Sequence, residues 1–272
     1  MNRAGARPSL GLYVKQLWSR RQFVLSYTAS RNAAGNTGNF LGQAWNVLTP
    51  LLNAAVYFLI FGLLLKTNKG VDNFIAFLVV GLFIFQFSSG SLISGSRAIT
   101  GNIGLLRSLH FPRAVLPIAT TLAGLQSLVY SMIVVLPIVL LTGEPVSLHW
   151  LELVPAVALQ TVFCLGLSLM FARVGAHLPD ASQLLPFATR IWMYISGIMY
   201  SVDTFSVGHP AWVKTVLEVN PGAVFVNLAR RALIDEQFAG VSTWLLALAW
   251  AVGIFTVGFL VFWQGEEEYG RV

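Results

Sequence analysis

The sequence is poor in charge and nearly free of cysteine, and these two shortages exclude most classes of protein. Only 10% of the 272 residues are charged, whereas soluble domains average about 25%. Hydrophobic residues make up 56% of the chain, which is more apolar surface than a soluble fold of this length can bury. The single cysteine, Cys164, lies in an apolar run, so a disulfide scaffold is excluded as well. A polytopic membrane protein remains.

Common motifs of enzymes and carriers are also absent. No Gly-x-x-x-x-Gly-Lys-Ser/Thr loop for phosphate occurs, and neither a His-Glu-x-x-His motif nor a cysteine pair suggests a metal site. The four histidines are scattered through loops and span ends. We therefore predict no catalytic, cofactor-binding or metal-ligating residue in this chain. The centres of the apolar runs contain no carboxylate, which disfavours a proton-coupled carrier.

Six apolar stretches approach the roughly 20 residues that a membrane-spanning helix requires. They are Trp45–Leu65, Asn73–Ile93, Val115–Leu141, Leu151–Ala172, Leu184–Tyr200 and Val241–Trp263. The sequence thus predicts an all-α polytopic membrane protein with six transmembrane helices in residues 45–263. Residues 1–44 form an N-terminal segment and residues 264–272 a tail. An even number of spans places both ends of the chain on one side.

The basic residues orient these helices. With the N-terminus in the cytoplasm, the outside set is Lys66, Lys69, Lys214, Arg230 and Arg231, and the rest of the 17 Lys and Arg residues lie inside. This bias follows the positive-inside rule. It predicts a multi-pass protein of the cytoplasmic (inner) membrane with both termini in the cytoplasm. It also accounts for the net charge of +6 without nucleic-acid binding.

Two regions outside the spans have amphipathic or short apolar segments. In the N-terminal segment, Leu10, Tyr13, Leu17 and Trp18 recur at helical spacing beside basic residues, which predicts a helix lying in the membrane interface. The long loop 201–240 contains apolar pieces that are too short to span a membrane. We predict that they form external interfacial or re-entrant helices before the last span.

Two of the spans have a polar and aromatic face. Residues at offsets of three and four share one side of a helix, and polar groups that face lipid are costly, so these faces meet protein or water. Channel lining and hydrogen bonding between helices both explain them. The candidate channel residues are Asn46, Thr49, Asn53 and Tyr57 in the first span, and Phe187, Arg190, Tyr194 and Ser201 along the fifth.

Four local motifs occur in an order that resembles a known family. They are Leu41-Gly42-x-x-Trp45, Phe111-Pro112-Arg113, the segment around Asp180, and Asn220-Pro221-Gly222. Together they resemble the membrane (permease) subunits of ABC transporters that export cell-surface polysaccharides, of the O-antigen and teichoic-acid exporter type. The resemblance runs over about residues 10–263. It implies export of a lipid-linked polysaccharide, of O-antigen, teichoic-acid or galactan type, across the cytoplasmic membrane.

The resemblance also implies partners and roles. Such subunits form homodimers in contact with membrane lipids, and each complex has two separate ATPase subunits that bind ATP and Mg. This chain is then a transport subunit and not an enzyme. The implied ATPase-coupling residues are Asn102, Leu105, Leu106, Arg107, His110, Phe111, Pro112 and Arg113. The N-terminal helix, about residues 9–26, is the implied gate helix. We predict that its basic residues hold a lipid head group, and the candidate residues of the gate are Lys15, Trp18, Arg20 and Arg21.

Two departures from the family and two alternatives accompany this interpretation. Leu178-Pro179-Asp180 replaces the usual adjacent Arg-Asp pair, which puts a second ATPase contact at Asp180 in doubt. Gly222 replaces an apolar residue, which we expect to affect only loop geometry. The alternatives are an ABC permease for a drug or lipid, and a membrane enzyme acting on a lipid-linked sugar. The enzyme requires a cluster of carboxylates, histidines or metal ligands that the sequence does not show.

Overall fold

A computed structural model describes residues 9–34, 41–57, 59–60, 71, 73–109, 111–234, 239–267 and 269. Across these ranges the chain is helical, with turns and short loops between the helices. The helices are α1 (Leu10–Ser19), α2 (Arg21–Ala34), α3 (Trp45–Tyr57), α4 (Phe74–Ser96), α5 (Ile103–Ser108), α6 (Val115–Leu141), α7 (Leu153–His177), α8 (Ala181–Ile195), α9 (Val202–Ser206), α10 (Ala211–Val219), α11 (Pro221–Leu233) and α12 (Val241–Gln264).

Four of these helices are long and apolar enough to cross a membrane. They are α4, α6, α12 and α7, the last extended by a 3₁₀ turn from Leu148. α4, α6, α7 and α12 correspond to the predicted second, third, fourth and sixth spans. The bounds of α6 are the predicted ones. The all-helical, polytopic class is therefore confirmed.

The other two predicted spans have shorter helices. α3 has 13 residues, and residues 61–65 of that span lie outside the described residues. α8 has 15 residues, about 22 Å at 1.5 Å per residue, against a hydrocarbon core of about 30 Å. It ends early because Gly197 adopts φ +63, a left-handed conformation that terminates helices. Six full spans therefore remain a prediction.

Glycines bring α7 into backbone contact with both of its main neighbours. A methyl group on Gly258 of α12 would overlap the carbonyl oxygen of Gly166 in α7. Likewise, a methyl group on Gly175 of α7 would overlap the carbonyl oxygen of Ser96 at the end of α4. Small residues allow helices in membranes to approach this closely. α7 is thus the central helix, and α4 and α12 pack on either side of it.

A buried amide adds a polar link between α4 and α7. The Gln160 side chain on α7 donates hydrogen bonds of 2.7 Å to the Ile84 carbonyl and 3.0 Å to the Ser88 hydroxyl. Gln160 is almost fully buried, so both donors of its amide group need partners. The link holds one face of α4 against α7 and leaves the opposite face of α4 to the other helices.

We expect Gly258→Ala to destabilise the protein by about 1–3 kcal/mol, the usual range for overpacking. The added methyl group would force α12 away from Gly166. Gly253→Ala is the matched control, because Gly253 lies on the same helix and its added methyl group would have no atom within 4 Å. Thermal unfolding in detergent measures both variants. Equal melting temperatures for the two variants would contradict the glycine contact.

Candidate functional site

A polar cavity opens on the face of α4 that points away from α7. It has a volume of about 430 Å³ and lies between α3, α4 and α6. Two of the predicted channel residues, Thr49 and Asn53, line it from α3. From α4 it is lined by Gln86, Ser91 and Ser94, together with the ring of Phe87.

A second cavity, of about 310 Å³, lies beside the first, between α4 and α8. It is lined by Ser89 of α4 and by Thr189 and Arg190 of α8. Asn53 and Gln86 line both cavities. The structure therefore brings the predicted faces of the first and fifth spans together around α4, with Asn53 and Arg190 bordering the same space.

The remaining predicted channel residues lie elsewhere or outside the description. Phe187 and Tyr194 are on the exposed face of α8, and Ser201 is half-buried where the chain enters α9. The side chains of Asn46 and Tyr57 fall outside the described residues. Whether any of these residues lines a channel remains a prediction.

The sequence interpretation missed the wall of the cavity that α6 provides. This wall includes Thr120, Gly124, Ser127 and Ser131. Their offsets of four, three and four place them on one helical face, which is the signal that could have revealed them. The hydroxyls of Ser127 and Ser131 donate to the carbonyls four residues earlier, so their oxygens can still accept hydrogen bonds from a ligand.

The chemistry of the two cavities suits a polyhydroxylated ligand. Their linings combine hydroxyl and amide groups with aromatic rings and with the cations Arg31 and Arg190. Among the described residues that line either cavity there is no carboxylate. Such walls exchange hydrogen bonds with sugar hydroxyls and tolerate negative charge, and they do not provide a general acid or base.

Beyond the C-terminal end of α4, the predicted coupling segment (residues 101–113) packs against the N-terminal helices. Tyr27 of α2 donates a hydrogen bond of 2.5 Å to the Asn102 side chain. The rings of Phe23 and Phe111 lie 5.3 Å apart. Leu105 and Leu106 belong to an apolar cluster that also includes Tyr27 and Phe111. Pro112 is buried and Arg107 is exposed. His110 lies outside the described residues.

The predicted gate helix, about residues 9–26, comprises α1 and the beginning of α2. The apolar residues of α1 point in two directions. Tyr13 is buried and Leu17 packs on the bundle, whereas Val14 and Trp18 are exposed. Lys15, Arg20 and Arg21 are exposed too, and the Arg21 guanidinium lies 5.4 Å from the centre of the Trp18 ring. Of the apolar residues that predict an interfacial helix, Tyr13 therefore faces protein, and the position of α1 in the membrane interface remains a prediction.

The residues after α12 complete this end of the bundle. The Glu266 carboxylate accepts hydrogen bonds from the Tyr13 hydroxyl at 2.7 Å and from the Arg113 backbone N–H at 2.9 Å. The Arg113 guanidinium donates to the Glu266 carbonyl. Burial raises the pKa of Glu266 above its usual range, although these donors oppose the increase. Sequence analysis missed Glu266, since no local pattern distinguishes it from its acidic neighbours.

The helices predicted to be external, α10 and α11, lie at the opposite end of the bundle, and α11 is largely buried against α4 and α7. The Asn220 side chain joins α11 to α8: it accepts from the Trp192 indole at 2.8 Å and donates to the Ile195 carbonyl at 3.1 Å. A methyl group on Gly222 would collide with Ser196. Gly222 therefore serves helix packing, and the expectation that it affects only loop geometry was wrong.

Arg230 of α11, assigned from the sequence to an external loop, is a buried structural group. It is 4% exposed, and its guanidinium donates to the carbonyls of Phe77, Gly197 and Ile198 at 3.1, 3.0 and 2.8 Å. It also lies 3.3 Å from the centre of the Phe77 ring. One side chain thus fastens α11 to α4 and to the loop after α8.

Comparison with known proteins agrees with this architecture. The ABC-2 type transporter family matches residues 28–234. An "O-antigen export system permease protein RfbA" of Myxococcus xanthus is 23% identical over 95% of this chain and 98% of its own length. A "Polysialic acid transport protein KpsM" of Escherichia coli is 30% identical over 84% of this chain and 87% of its own length. A Klebsiella pneumoniae O-antigen export permease is 25% identical over 69% of this chain and 71% of its own length.

The chain belongs to the ABC-2 type transporter family of membrane proteins. The resemblance inferred from the four sequence motifs is thereby confirmed. The relatives are named as an export permease and a transport protein, which agrees with a transport subunit and not with the alternative of a membrane enzyme.

We expect Arg230→Lys to destabilise the protein by about 2–3 kcal/mol, because an ammonium cannot reproduce the planar fork that reaches three carbonyls. Arg231→Lys, at the half-buried neighbouring position, is the control and should stay within about 0.5 kcal/mol of the wild type. Thermal unfolding in detergent measures both. A stable Arg230→Lys variant would mean that the three hydrogen bonds do not hold α11 in place.

Proposed function

We propose that this chain is the membrane subunit of an ATP-driven exporter that moves a lipid-linked cell-surface polysaccharide across the cytoplasmic membrane. The observation that carries the proposal is the pair of cavities lined by hydroxyls, amides and aromatic rings. It occurs in a chain that aligns over 95% of its length with an O-antigen export permease. Aromatic faces and hydroxyl groups allow a sugar polymer to slide without a single tight site.

In this proposal the chain has six spans, with α3 and α8 contributing the first and fifth, and with both termini in the cytoplasm. α10 and α11 form a re-entrant pair on the external side. The burial of α11 against α4 and α7 supports this placement, because a short helix can lie at membrane depth only where protein or a cavity covers it.

The functional unit is a homodimer in which the two copies of α3 and α8 border a shared channel. The outer face of α8 supports this arrangement. Its exposed residues are Leu184, Phe187, Ile191, Tyr194 and Ile195. Arg190 lies on the same helix, and a second copy would shelter it from lipid. Inserting an arginine near the centre of a membrane span costs roughly 2.5–3.5 kcal/mol.

Each protomer is driven by a separate ATPase subunit that binds ATP and Mg. The coupling segment 101–113 offers the exposed Arg107 and Ser108 as contacts. Movement imposed there reaches the α2 part of the gate helix through the contacts of Tyr27 and Phe23 with the coupling segment. The exposed Lys15, Arg20 and Arg21 attract an anionic lipid head group, at about 1 kcal/mol for each basic residue.

Affinity purification from native membranes in mild detergent tests the assembly. We expect the tagged chain to bring down a stoichiometric subunit with a phosphate-binding loop and ATPase activity. Recovery of this chain alone after gentle handling would overturn the proposal. A partner ATPase without loss of surface polysaccharide on depletion of this chain would point to a drug or lipid permease instead.

Ser127→Trp tests the cavity. The indole would fill the space between α3, α4 and α6, so we expect export to fall at least about tenfold, equivalent to about 1.4 kcal/mol in the barrier. Val129→Trp is the control, because Val129 is exposed on another side of α6. Surface glycan, labelled by periodate oxidation and a hydrazide dye, measures export. Equal export by the two variants would contradict transport through this cavity.

A further inference from the structure

One buried ionisable group at the coupling end connects three segments of the chain that the proposed function treats separately. Glu266 follows the last span, Tyr13 belongs to the gate helix, and Arg113 ends the coupling segment. Tyr13 and Glu266 are 253 residues apart in sequence, yet a 2.7 Å hydrogen bond joins their side chains. The Arg113 backbone N–H occupies the other carboxylate oxygen at 2.9 Å.

The cluster is built as a junction and not as a solvated ion pair. Glu266 is 7% exposed and Tyr13 is 1% exposed, so water cannot replace the hydrogen bonds that they exchange. The Tyr13 oxygen in turn accepts from the Ala114 N–H at 3.3 Å. The guanidinium of Arg113 lies 3.9 Å from the Glu266 carboxylate. Each carboxylate oxygen of Glu266 therefore contacts a different segment.

We propose that Glu266 is a positioning residue that makes the gate helix follow the coupling segment. Because the carboxylate is bonded to Tyr13 on one side and to Arg113 on the other, displacement of Arg113 displaces α1. The proposal rests on the proposed function as an ATP-driven exporter. It adds a residue outside both predicted segments as the link between the coupling segment and α1.

The neighbouring contacts show why Glu266 controls α1 in particular. The Tyr27–Asn102 hydrogen bond and the Phe23–Phe111 ring contact hold α2 to the coupling segment. α1 is held instead by the hydrogen bond from the Tyr13 hydroxyl to the Glu266 carboxylate. The tail also reaches α12, since the Tyr269 hydroxyl donates to the Phe262 carbonyl at 3.1 Å. Glu266 therefore joins α1 to the coupling segment and, through the backbone, to the last span.

The test uses the purified complex with its ATPase subunit. Ser19 on α1 is exposed and is changed to Cys for a nitroxide label, whereas the native Cys164 is fully buried and does not compete. Pulsed electron paramagnetic resonance measures the distance between the labels of the two protomers, without nucleotide and after trapping with ATP and vanadate. In the wild type we expect trapping to change this distance.

Glu266→Ala and Tyr13→Phe should each abolish most of that change, because each removes the hydrogen bond between the two side chains. Glu266→Gln should retain it, because its amide oxygen still accepts from the Arg113 N–H and its amide group can donate to the Tyr13 oxygen. The double variant Glu266→Ala/Tyr13→Phe should show the same distance change as Glu266→Ala alone, because both substitutions break the same hydrogen bond.

Tyr269→Phe is the matched control. It removes one hydroxyl from a residue that is 1% exposed, like Tyr13, and the hydrogen bond described for this hydroxyl runs to the Phe262 carbonyl of α12. A normal distance change in Glu266→Ala, or an equal loss in Tyr269→Phe, would overturn the role of Glu266. A wild-type complex whose labels do not respond to nucleotide would also overturn the role of Glu266, whereas an ATPase partner that does not co-purify would overturn the proposed function.

Discussion

The close approach of α7 to its neighbours is the constraint on which the rest of the structure depends. In a bilayer, burying an apolar side chain against another helix gains little over lipid, so helices associate through packing and hydrogen bonds. Gly166 and Gly175 supply that packing to α12 and α4, and Gln160 adds the polar contact to α4. Because α7 occupies one face of α4, the polar face bearing Gln86 is left open. The two cavities exist for this reason.

The ends of the bundle stabilise buried charge by different means. Arg230 spreads its charge over three carbonyl oxygens of the backbone, which fastens helices whose relative position is fixed. Glu266 is bonded to donors from two separate segments. The first arrangement suits a rigid wall, and the second suits parts that move together. In the proposed exporter, the end with Arg230 would be the passive external side and the end with Glu266 the side that the ATPase moves.

The sequence predicted what depends on local pattern. The bounds of α6 follow from one uninterrupted apolar run, and the family motifs placed the coupling segment on one side of the bundle and the short helices on the other. Periodicity identified Tyr13 as apolar-facing but could not distinguish protein from lipid. The end of α8 depends on the conformation of Gly197, which the apolar run does not reveal. Glu266 was missed because its partners are distant in sequence.

The hydrogen bond between Tyr13 and Glu266 also has a consequence for biosynthesis. The ribosome makes Tyr13 first and its partner 253 residues later, an interval of roughly 13–50 s at ordinary rates of translation. Throughout that time α1 lacks this bond, while the spans between the two residues are inserted. Docking of α1 therefore reports that the last span has emerged. A chain released before residue 266 would leave the Tyr13 hydroxyl without its carboxylate acceptor.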